Sequence, residues 1–267
     1  MLQWAGGYAG GDATMRIEFN PKNPKAFMLN AFLQAHLDPE RVEPDLVLVL
    51  GGDGFMLHVV RRLQVENPIF LGLNCGNLGF MLNEIPPQVE ALIPIITERK
   101  YHVLEVPRIH LEAVDREGRV HEADAMNDIY LERMTGQSAH LELTIDGLTV
   151  VDCIVCDGLI LATALGSTSY NFSAGGAICH PTLPILNITP ICPHSPRLTP
   201  MVFPLQTVVR IDARDHEKRK VRAVNDGVDI DDVVQITVQA ARQNVKLAFF
   251  QKNDFTGRLF SKLLKTR

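Results

Sequence analysis

The chain has 267 residues, of which 46% are hydrophobic and 21% charged, the balance of an ordinary soluble globular protein. Its 26 basic and 31 acidic residues give a net charge of −5, and no Lys/Arg block marks a surface for nucleic acid. Apolar runs such as residues 46–50 are far shorter than the roughly 18 residues of a membrane helix. The N-terminus lacks the basic and apolar regions of a secretion signal. These features predict a cytoplasmic protein with neither a nucleic-acid nor a membrane partner.

The first fourteen residues are rich in glycine and show no periodicity, whereas Met15 begins a strand-like segment. We expect Met15 to be the true start and residues 1–14 to be a poorly ordered extension. A protein that begins at Met15 is therefore predicted to keep full activity. Loss of soluble expression or of turnover after this deletion would contradict the prediction.

The next part of the chain alternates between strand and helix patterns. Residues 22–37 carry apolar side chains at helical spacing, and residues 45–50 and 68–74 are continuous apolar runs typical of strands buried on both faces. A helix-like segment lies between the two runs. Strand, helix and strand with short links indicate a βαβ unit. We predict an α/β domain over residues 15–100.

After Tyr101 the apolar period changes from 3.6 to 2, which is typical of strands with one buried face. Hairpin signals lie at residues 115–118 and at Asp146-Gly147, and seven prolines between Pro181 and Pro204 exclude a long helix there. Alternating runs lie at residues 109–113, 141–145, 234–238 and 245–249. We predict a β-rich domain over residues 101–250 and a tail, residues 251–267, that returns to the first domain as a short helix.

Neither cysteine nor histidine is arranged as metal ligands. Cys153 and Cys156 spell C-x-x-C, but in a strand an offset of three puts the two side chains on opposite faces. A second cysteine pair with zinc spacing is absent from the sequence, and the nine histidines show no ligand spacing. We predict no metal ligands from the protein and no disulfide framework.

Two glycine-containing turns follow the two buried runs, at the edge of an α/β sheet where ligands bind. In GGDG at 51–54, glycines let the backbone approach a ligand, and Asp53 could accept a proton from a hydroxyl in phosphoryl transfer. The same four residues could equally form a plain turn with Asp53 as N-cap. Residues 74–80 form the second turn, in which Phe80 is available to pack on a base or to lie in the core.

The densest group of small polar residues lies between 156 and 181. Gly166 to Tyr170 supply a glycine, three hydroxyls and an aromatic ring, which could serve the oxygens and the base of a nucleotide, or could form a Gly/Ser-rich turn. Asn127-Asp128 is a shorter polar pair that could bind sugar hydroxyls or form an Asx turn.

These motifs, in this order and at these separations, resemble those of NAD kinases: GGDG, N-x-G-x-L-G-F, an Asn-acid pair and DGLILAT-x-x-GSTSYNFSAGG. The resemblance continues through HPTLPILNITPICPHS and LTPMVFP, more loosely through AVNDGVDI at 223–230, and covers residues 15–260 approximately. It implies phosphorylation of the 2′-hydroxyl of the adenosine ribose of NAD, giving NADP. The donor would be ATP or polyphosphate together with a divalent cation, and the expected cation is Mg²⁺.

The resemblance also implies an α/β domain followed by a β-sandwich-like domain, a site in the cleft between them, and a homodimer or homotetramer. It implies that Asp53 is the general base, that Gly54 supports the same loop, and that Asp157 lies near the nicotinamide. The remaining implied contacts are Phe80 in the adenine pocket, Asn127 and Asp128 at the ribose and nicotinamide-side groups, and Thr168, Ser169, Tyr170, Asn171, Phe172 and Ser173 around the adenine and its ribose.

Several positions depart from the common pattern of that family. Asp128 stands where Glu is usual, Ala164-Leu165 replaces Pro-Thr/Ser, Ser169 replaces Ala, and the segment before GGDG is shorter. The choices between ATP and polyphosphate and between NAD and NADH therefore stay open. Two other functions remain: a lipid kinase of the GGDG type, which would lack the GSTSY–SAGG block, and an impaired NAD(H)-binding sensor, against which the intact Asp53 argues.

Overall fold

The computed structural model describes residues 15–76, 79–251, 257 and 259–260. The predicted N-terminal extension and most of the predicted C-terminal helix lie outside these residues. Within them, the chain divides into two compact units. One comprises residues 15–59, 68–103 and 247–251, and the other comprises residues 60–67, 104–246, 257 and 259–260. No helix in the described part of the chain is long and apolar enough to cross a membrane.

The N-terminal hundred residues form the predicted alternation of strands and helices. The elements are β1 (Arg16–Phe19), α1 (Pro24–His36), β2 (Leu46–Gly51), α2 (Asp53–Leu63), β3 (Ile69–Asn74), α3 (Leu92–Thr97) and β4 (His102–Val106). β1 pairs with β2 and β2 with β3, both in parallel. Every residue of β2 and β3 is buried, because parallel strands between helix layers are covered on both faces. The predicted βαβ unit is confirmed.

Helix α1 begins where its sequence favours a start. The Asn23 side chain accepts hydrogen bonds from the N–H groups of Lys25 and Ala26, and Pro24 occupies the first helical position. The helix buries one stripe of side chains, which includes Leu29 and Leu33. Because β1 ends at Phe19 and α1 begins at Pro24, the N-terminus of α1 lies near the carboxyl end of β1.

The second unit is an antiparallel sheet. Its elements are β5 (Ile109–Asp115), β6 (Val120–Ala125), β7 (Asp128–Arg133), β8 (Ala139–Ile145), β9 (Leu148–Cys156), β10 (Gly158–Thr163), α4 (Tyr170–Ser173), β11 (Ile185–Ile191), β12 (Met201–Pro204), β13 (Val209–Arg214), β14 (Val221–Asn225) and β15 (Val228–Ala240). Among the described residues the sheet has 11 strands, nine of them in the order β12-β11-β10-β7-β14-β15-β13-β8-β9; β5 pairs with β15, and β6 pairs with β5. The side chains that alternate inward form its core, as the period of two predicted.

Two hairpins of this sheet turn on an Asp-Gly pair. Asp146-Gly147 has φ values of 48° and 80°, and Asp226-Gly227 has 44° and 80°. Both residues of each pair thus have the left-handed backbone that a two-residue hairpin turn requires. The first hairpin was predicted, whereas the second, with the same dipeptide, was missed.

Strand β15 differs from its predicted alternation. The sequence predicts that Val234 is buried together with Ile236 and Val238, but Val233 is buried and Val234 only half-buried. The pairing of β15 with β5 shifts between Val233 and Gln235. A bulge of this kind inserts one extra residue into the strand. The side chains before the bulge therefore point to the face opposite to the one that strict alternation predicts.

The last strand, β16 (Val245–Phe249), was placed in the β-rich domain by its alternation, but it lies in the first sheet. The order of that five-stranded sheet is β1-β2-β3-β16-β4, so β16 is an inner strand. The buried Asn83 side chain donates to the carbonyl oxygens of Gly72 and Ala248, at 3.0 and 2.9 Å, and accepts from the Phe250 N–H. Through Asn83, these bonds connect β16 with β3.

All five cysteines are free thiols. Cys153 is exposed and Cys156 buried, as expected for an offset of three within the strand β9.

Candidate functional site

The GGDG turn connects β2 directly to α2. The Gly52 carbonyl accepts the N–H groups of Phe55 and Met56, so Gly52 precedes the helix and Asp53 is its first residue. Gly54 follows as the second, and a Cβ atom there would meet nothing within 4 Å. The Asp53 side chain is therefore not the N-cap of α2.

The Asp53 carboxylate instead holds the turn that follows β3. Its Oδ2 atom accepts the Phe80 N–H at 2.9 Å, and its Oδ1 atom accepts the Met81 N–H at 3.0 Å. Gly79 makes this approach possible, because a Cβ atom there would lie 2.8 Å from Asp53 Oδ1. Each carboxylate oxygen has a second lone pair, so the fixed group can still accept a hydrogen bond from a ligand hydroxyl. The Phe80 residue, predicted to line an adenine pocket, is only 7% exposed.

The turns after β1, β2 and β3 meet at the carboxyl edge of the first sheet. The Cys75 N–H donates to the Gly51 carbonyl at 2.8 Å, and the Asn23 amide donates to the Cys75 carbonyl at 3.0 Å. Lys25 Nζ donates to the Asn74 carbonyl at 3.2 Å, which brings a cation to this edge. Sequence reasoning missed Lys25, although a lysine in the first turn of a helix after β1 is a visible signal.

In the second unit, Asn127 presents an unsatisfied group. Its amide nitrogen donates to Ser169 Oγ at 3.3 Å, but its Oδ1 atom is buried without a hydrogen-bond partner among the described residues. An unpaired buried acceptor costs about 1–3 kcal/mol, so a ligand that donates to it gains affinity. Asn127 is therefore suited to bind a polar ligand.

Asp128, beside Asn127, is only 6% exposed. Burial, and to a smaller extent the nearby charge of Asp226, raise the pKa of its carboxyl group to about 7. An Asp with this pKa changes its charge near neutral pH, which an exposed Asp does not.

The backbone around Asn127 is held by β10 and by the turn that follows it. Thr163 Oγ1 donates to the Met126 carbonyl at 2.6 Å, and the Thr163 N–H donates to the Asn127 carbonyl at 2.9 Å. A Cβ atom on Gly166 would lie 2.0 Å from that Asn127 carbonyl oxygen. Only glycine fits at this position, so Gly166 has a packing role in addition to any role toward a ligand.

The segment after Gly166 forms one short turn and α4. Tyr170 contacts Tyr130 edge to face, with ring centroids 5.0 Å apart and an interplanar angle of 83°. Thr168 and Ser169 are half-buried, whereas Phe172 and Ser173 are exposed. Within this segment, Ser169 lies within hydrogen-bond distance of the Asn127 amide.

Asn171 departs from its predicted role in ligand binding. It is fully buried, its amide nitrogen donates to the carbonyls of Ser167 and Ala177, and its Oδ1 atom accepts from Thr189 Oγ1 at 2.6 Å. Its polar atoms are all used within the chain. The structure therefore gives Asn171 the role of fixing the 166–177 segment against β11.

Asp157 lies between β9 and β10. Its Oδ1 atom accepts from Arg133 Nε at 2.7 Å, and both side chains are about one-third exposed. Asp157, which was predicted to lie near the nicotinamide, therefore forms a half-exposed ion pair with Arg133.

No cluster of three or more His, Cys, Asp or Glu side chains within residues 15–76 and 79–251 could hold a metal ion. Mg²⁺ commonly binds through substrate phosphates and one or two carboxylates rather than in an all-protein site.

Solved structures of two kinases share this fold. The chain superimposes on yeast NADH kinase in complex with NADH with a TM-score of 0.83 at 24% identity, covering 94% of this chain and 86% of that one. It superimposes on an NAD kinase from Archaeoglobus fulgidus in complex with ATP with a TM-score of 0.76 at 24% identity, covering 95% of this chain and 100% of that one. The chain therefore has the fold of these two structures, with an α/β unit and a curled β-rich unit.

Sequence comparison identifies the family. The ATP-NAD kinase N-terminal domain profile matches residues 10–101, and the ATP-NAD kinase C-terminal domain profile matches residues 126–249. The NAD kinase of Clostridium beijerinckii is 33% identical over 253 residues, which cover 92% of this chain and 86% of the relative. The NAD kinase of Rhizobium meliloti is 36% identical over 203 residues, which cover 75% of this chain and 76% of the relative. The chain belongs to the NAD kinase family and is an enzyme.

Proposed function

We propose that this NAD kinase transfers the γ-phosphoryl group of ATP to the 2′-hydroxyl of the adenosine ribose of NAD, with Asp53 as its catalytic residue. The observation that carries the proposal is the Asp53 carboxylate, which is fixed by the N–H groups of Phe80 and Met81 and keeps free lone pairs. In phosphoryl transfer the protein mainly positions the reactants, so a fixed carboxylate suits the attacking hydroxyl.

In this phosphoryl transfer, the Asp53 carboxyl group is sufficient to accept the proton that the hydroxyl releases. The 2′-oxygen forms a bond to the γ-phosphorus while the bond from that phosphorus to the oxygen bridging to the β-phosphate breaks. The hydroxyl proton passes to Asp53, and the electron pair of the broken bond leaves with ADP. Because the transition state is loose, orientation of the hydroxyl contributes more than early proton removal.

The second unit supplies the contacts that we propose for NAD. The unpaired Asn127 Oδ1 atom and the Asp128 carboxyl would accept hydrogen bonds from ribose hydroxyls or the carboxamide. Tyr170, held by Tyr130, would stack on a base. Asp157, Thr168 and the other predicted contacts of the 168–173 segment, with the exception of Asn171, would complete the site.

The donor is proposed to enter with Mg²⁺ bound to its phosphates, and the cation would offset the phosphate charge. Lys25 and the first N–H groups of α2 lie at the carboxyl edge of the first sheet, where they would meet an anionic group. A nucleoside triphosphate and polyphosphate would both present such a group.

The test is NADP formation by the purified protein with Mg²⁺, measured with an NADP-specific dehydrogenase. ATP and polyphosphate are compared as donors, and NAD and NADH as acceptors, with loss of turnover after chelation of the cation as a control. Product from any of these pairs supports a 2′-kinase. Its absence from all four pairs, in a folded protein that binds NAD, would support the sensor instead.

We predict that Asp128→Ala weakens NAD binding more than it slows chemistry. A charge-assisted hydrogen bond to a ribose hydroxyl is worth roughly 1.5–3 kcal/mol, so KM for NAD should rise by about 10- to 150-fold. Asp128→Glu, which restores the residue usual in the family, is the matched variant and should retain binding. A large fall in kcat at unchanged KM would assign Asp128 a different task.

We also propose a cytoplasmic homodimer or homotetramer that associates through the β-rich unit. β9 is the last strand in the order of its sheet, and Leu148 and Val150 on it are 68% and 45% exposed. Edges of this kind are commonly covered by another chain. Sedimentation should give a multiple of the 29.7 kDa chain mass at micromolar concentration, and a monomer mass would contradict the proposal.

A further inference from the structure

The Asp226 side chain, in the turn after β14, binds the backbone at the start of the neighbouring strand β7, where Asn127 and Asp128 lie. Its Oδ2 atom accepts the Met126 N–H at 2.7 Å, and its Oδ1 atom accepts the N–H groups of Asn127 and Asp128 at 3.0 and 3.1 Å. The Asp226 N–H donates in return to the Asp128 carbonyl at 3.1 Å. One carboxyl group thus binds three consecutive backbone N–H groups that are about a hundred residues away in the chain.

The position of Asp226 is itself fixed. It is the first residue of the Asp-Gly turn between β14 and β15, with φ of 44°. β14 pairs with β7 from Val221 against Arg133 to Asn225 against Ile129, so the turn is held beside the start of β7. The hairpin therefore places the Asp226 carboxyl group beside the backbone of residues 126–128.

We propose that Asp226 is a positioning residue for NAD binding, which acts through the backbone of residues 126–128 and through its negative charge on the Asp128 carboxyl. This inference rests on the proposed function, in which Asn127 and Asp128 bind NAD. The Asp226 oxygens bind three backbone N–H groups, and the proposed role requires no contact of Asp226 with the reacting atoms or the dinucleotide. Asp226 instead supports the two side chains that would contact the dinucleotide.

Within the pair of carboxyl groups, Asp128 is the one that carries the proton near neutral pH. Burial raises the pKa of both groups, but the three N–H donors favour the charged form of Asp226, and the positive charge of Arg61 favours it as well. Arg108 is a second cation close to Asp226. Asp128 faces Asp226, Tyr130 and Tyr170.

A pH dependence of NAD affinity follows from this arrangement. Ionised Asp128 can accept hydrogen bonds with both oxygens, and protonation removes part of that capacity. Affinity should therefore fall as pH decreases through about 7, the pKa of Asp128. Removing the charge of Asp226 would lower the pKa of Asp128 and move this fall to lower pH.

The test measures NAD binding by calorimetry between pH 5.5 and 8.5, without donor, for the wild type, Asp226→Asn and Asp229→Asn. Asparagine can accept at only one of its two positions, so Asp226→Asn should raise the Kd at pH 8.5 by about tenfold. Its pH midpoint should lie about one pH unit lower than that of the wild type, while kcat at saturating NAD changes by less than about threefold. Asp229, an exposed residue three positions along the same hairpin that pairs with Arg222, controls for loss of one charge and should leave the midpoint unchanged.

A weaker affinity with the wild-type midpoint would mean that Asp226 has only a structural role, and a loss of kcat at unchanged Kd would also overturn the proposal. If Asp226→Asn does not fold, amide hydrogen exchange of the wild type decides. The N–H groups of Met126, Asn127 and Asp128 should be protected without NAD, and exchange at the rate of an open loop would overturn the proposal. NAD binding without NADP formation by the wild type would instead contradict the proposed function alone.

Discussion

Asp53→Asn is expected to lower kcat by about 10²–10⁴, the usual contribution of a general acid–base group. An amide can still hydrogen-bond the 2′-hydroxyl of NAD, but it cannot take the proton. The effect should appear in turnover at saturating ATP and NAD, measured as NADP formed per enzyme.

The structure adds a second consequence of this substitution. The Asp53 carboxylate accepts one N–H bond at each oxygen, and an asparagine side chain can replace only one of the two. The turn that contains Phe80 and Met81 should therefore loosen, and nucleotide binding must be measured separately from turnover. Asp45→Asn, an exposed Asp at the other end of β2, is the matched control and should keep full turnover.

A general-base role for Asp53 would not survive if the Asn variant, at saturating substrates, retained more than about a tenth of the wild-type kcat. Asp53 would then serve to hold the turn after β3. The base would have to be sought among other polar groups of the site.

Gly166→Ala is expected to have the largest effect on the fold of the second unit. The new Cβ atom would lie 2.0 Å from the Asn127 carbonyl oxygen and 2.4 Å from its carbon. Both are backbone atoms, so the strain cannot be relieved by rotation of a side chain. Overpacking of this kind costs about 3 kcal/mol or more, and the shift would displace Asn127, which we propose as a contact for NAD.

Urea unfolding and NAD binding of the Gly166→Ala variant should both report the loss. Gly136→Ala is the control, because Gly136 lies in an exposed turn where a Cβ atom would meet nothing within 4 Å. If the two variants are equally stable and bind NAD equally, residues 127 and 166 do not approach as closely as the structure has them.

Local patterns predicted those parts of the fold that depend on neighbours in sequence. The burial of β2 and β3, the helix that follows GGDG and the Asp146-Gly147 hairpin all follow from residue types within one element or one turn. The position of Asp53 after a buried strand likewise follows from its motif.

The rest of the fold and of the candidate site depends on contacts between residues that are far apart in the chain, and local sequence patterns do not show such contacts. Asn171 looks like a ligand contact among serines and threonines, and only Thr189 on a separate strand reveals that its amide is fully used. The bonds from Asp226 cross about a hundred residues, and alternation alone cannot tell which sheet a strand such as β16 will join.

The position of β16 has a consequence for synthesis of the protein on the ribosome. The first sheet contains strands from the N-terminal hundred residues and one inner strand, Val245–Phe249, from near the end of the chain. While the growing chain lacks that strand, β3 and β4 have no partner between them, and their backbone groups face water or a chaperone. The first sheet is therefore completed only after Val245–Phe249 has been made, more than a hundred residues after its other strands.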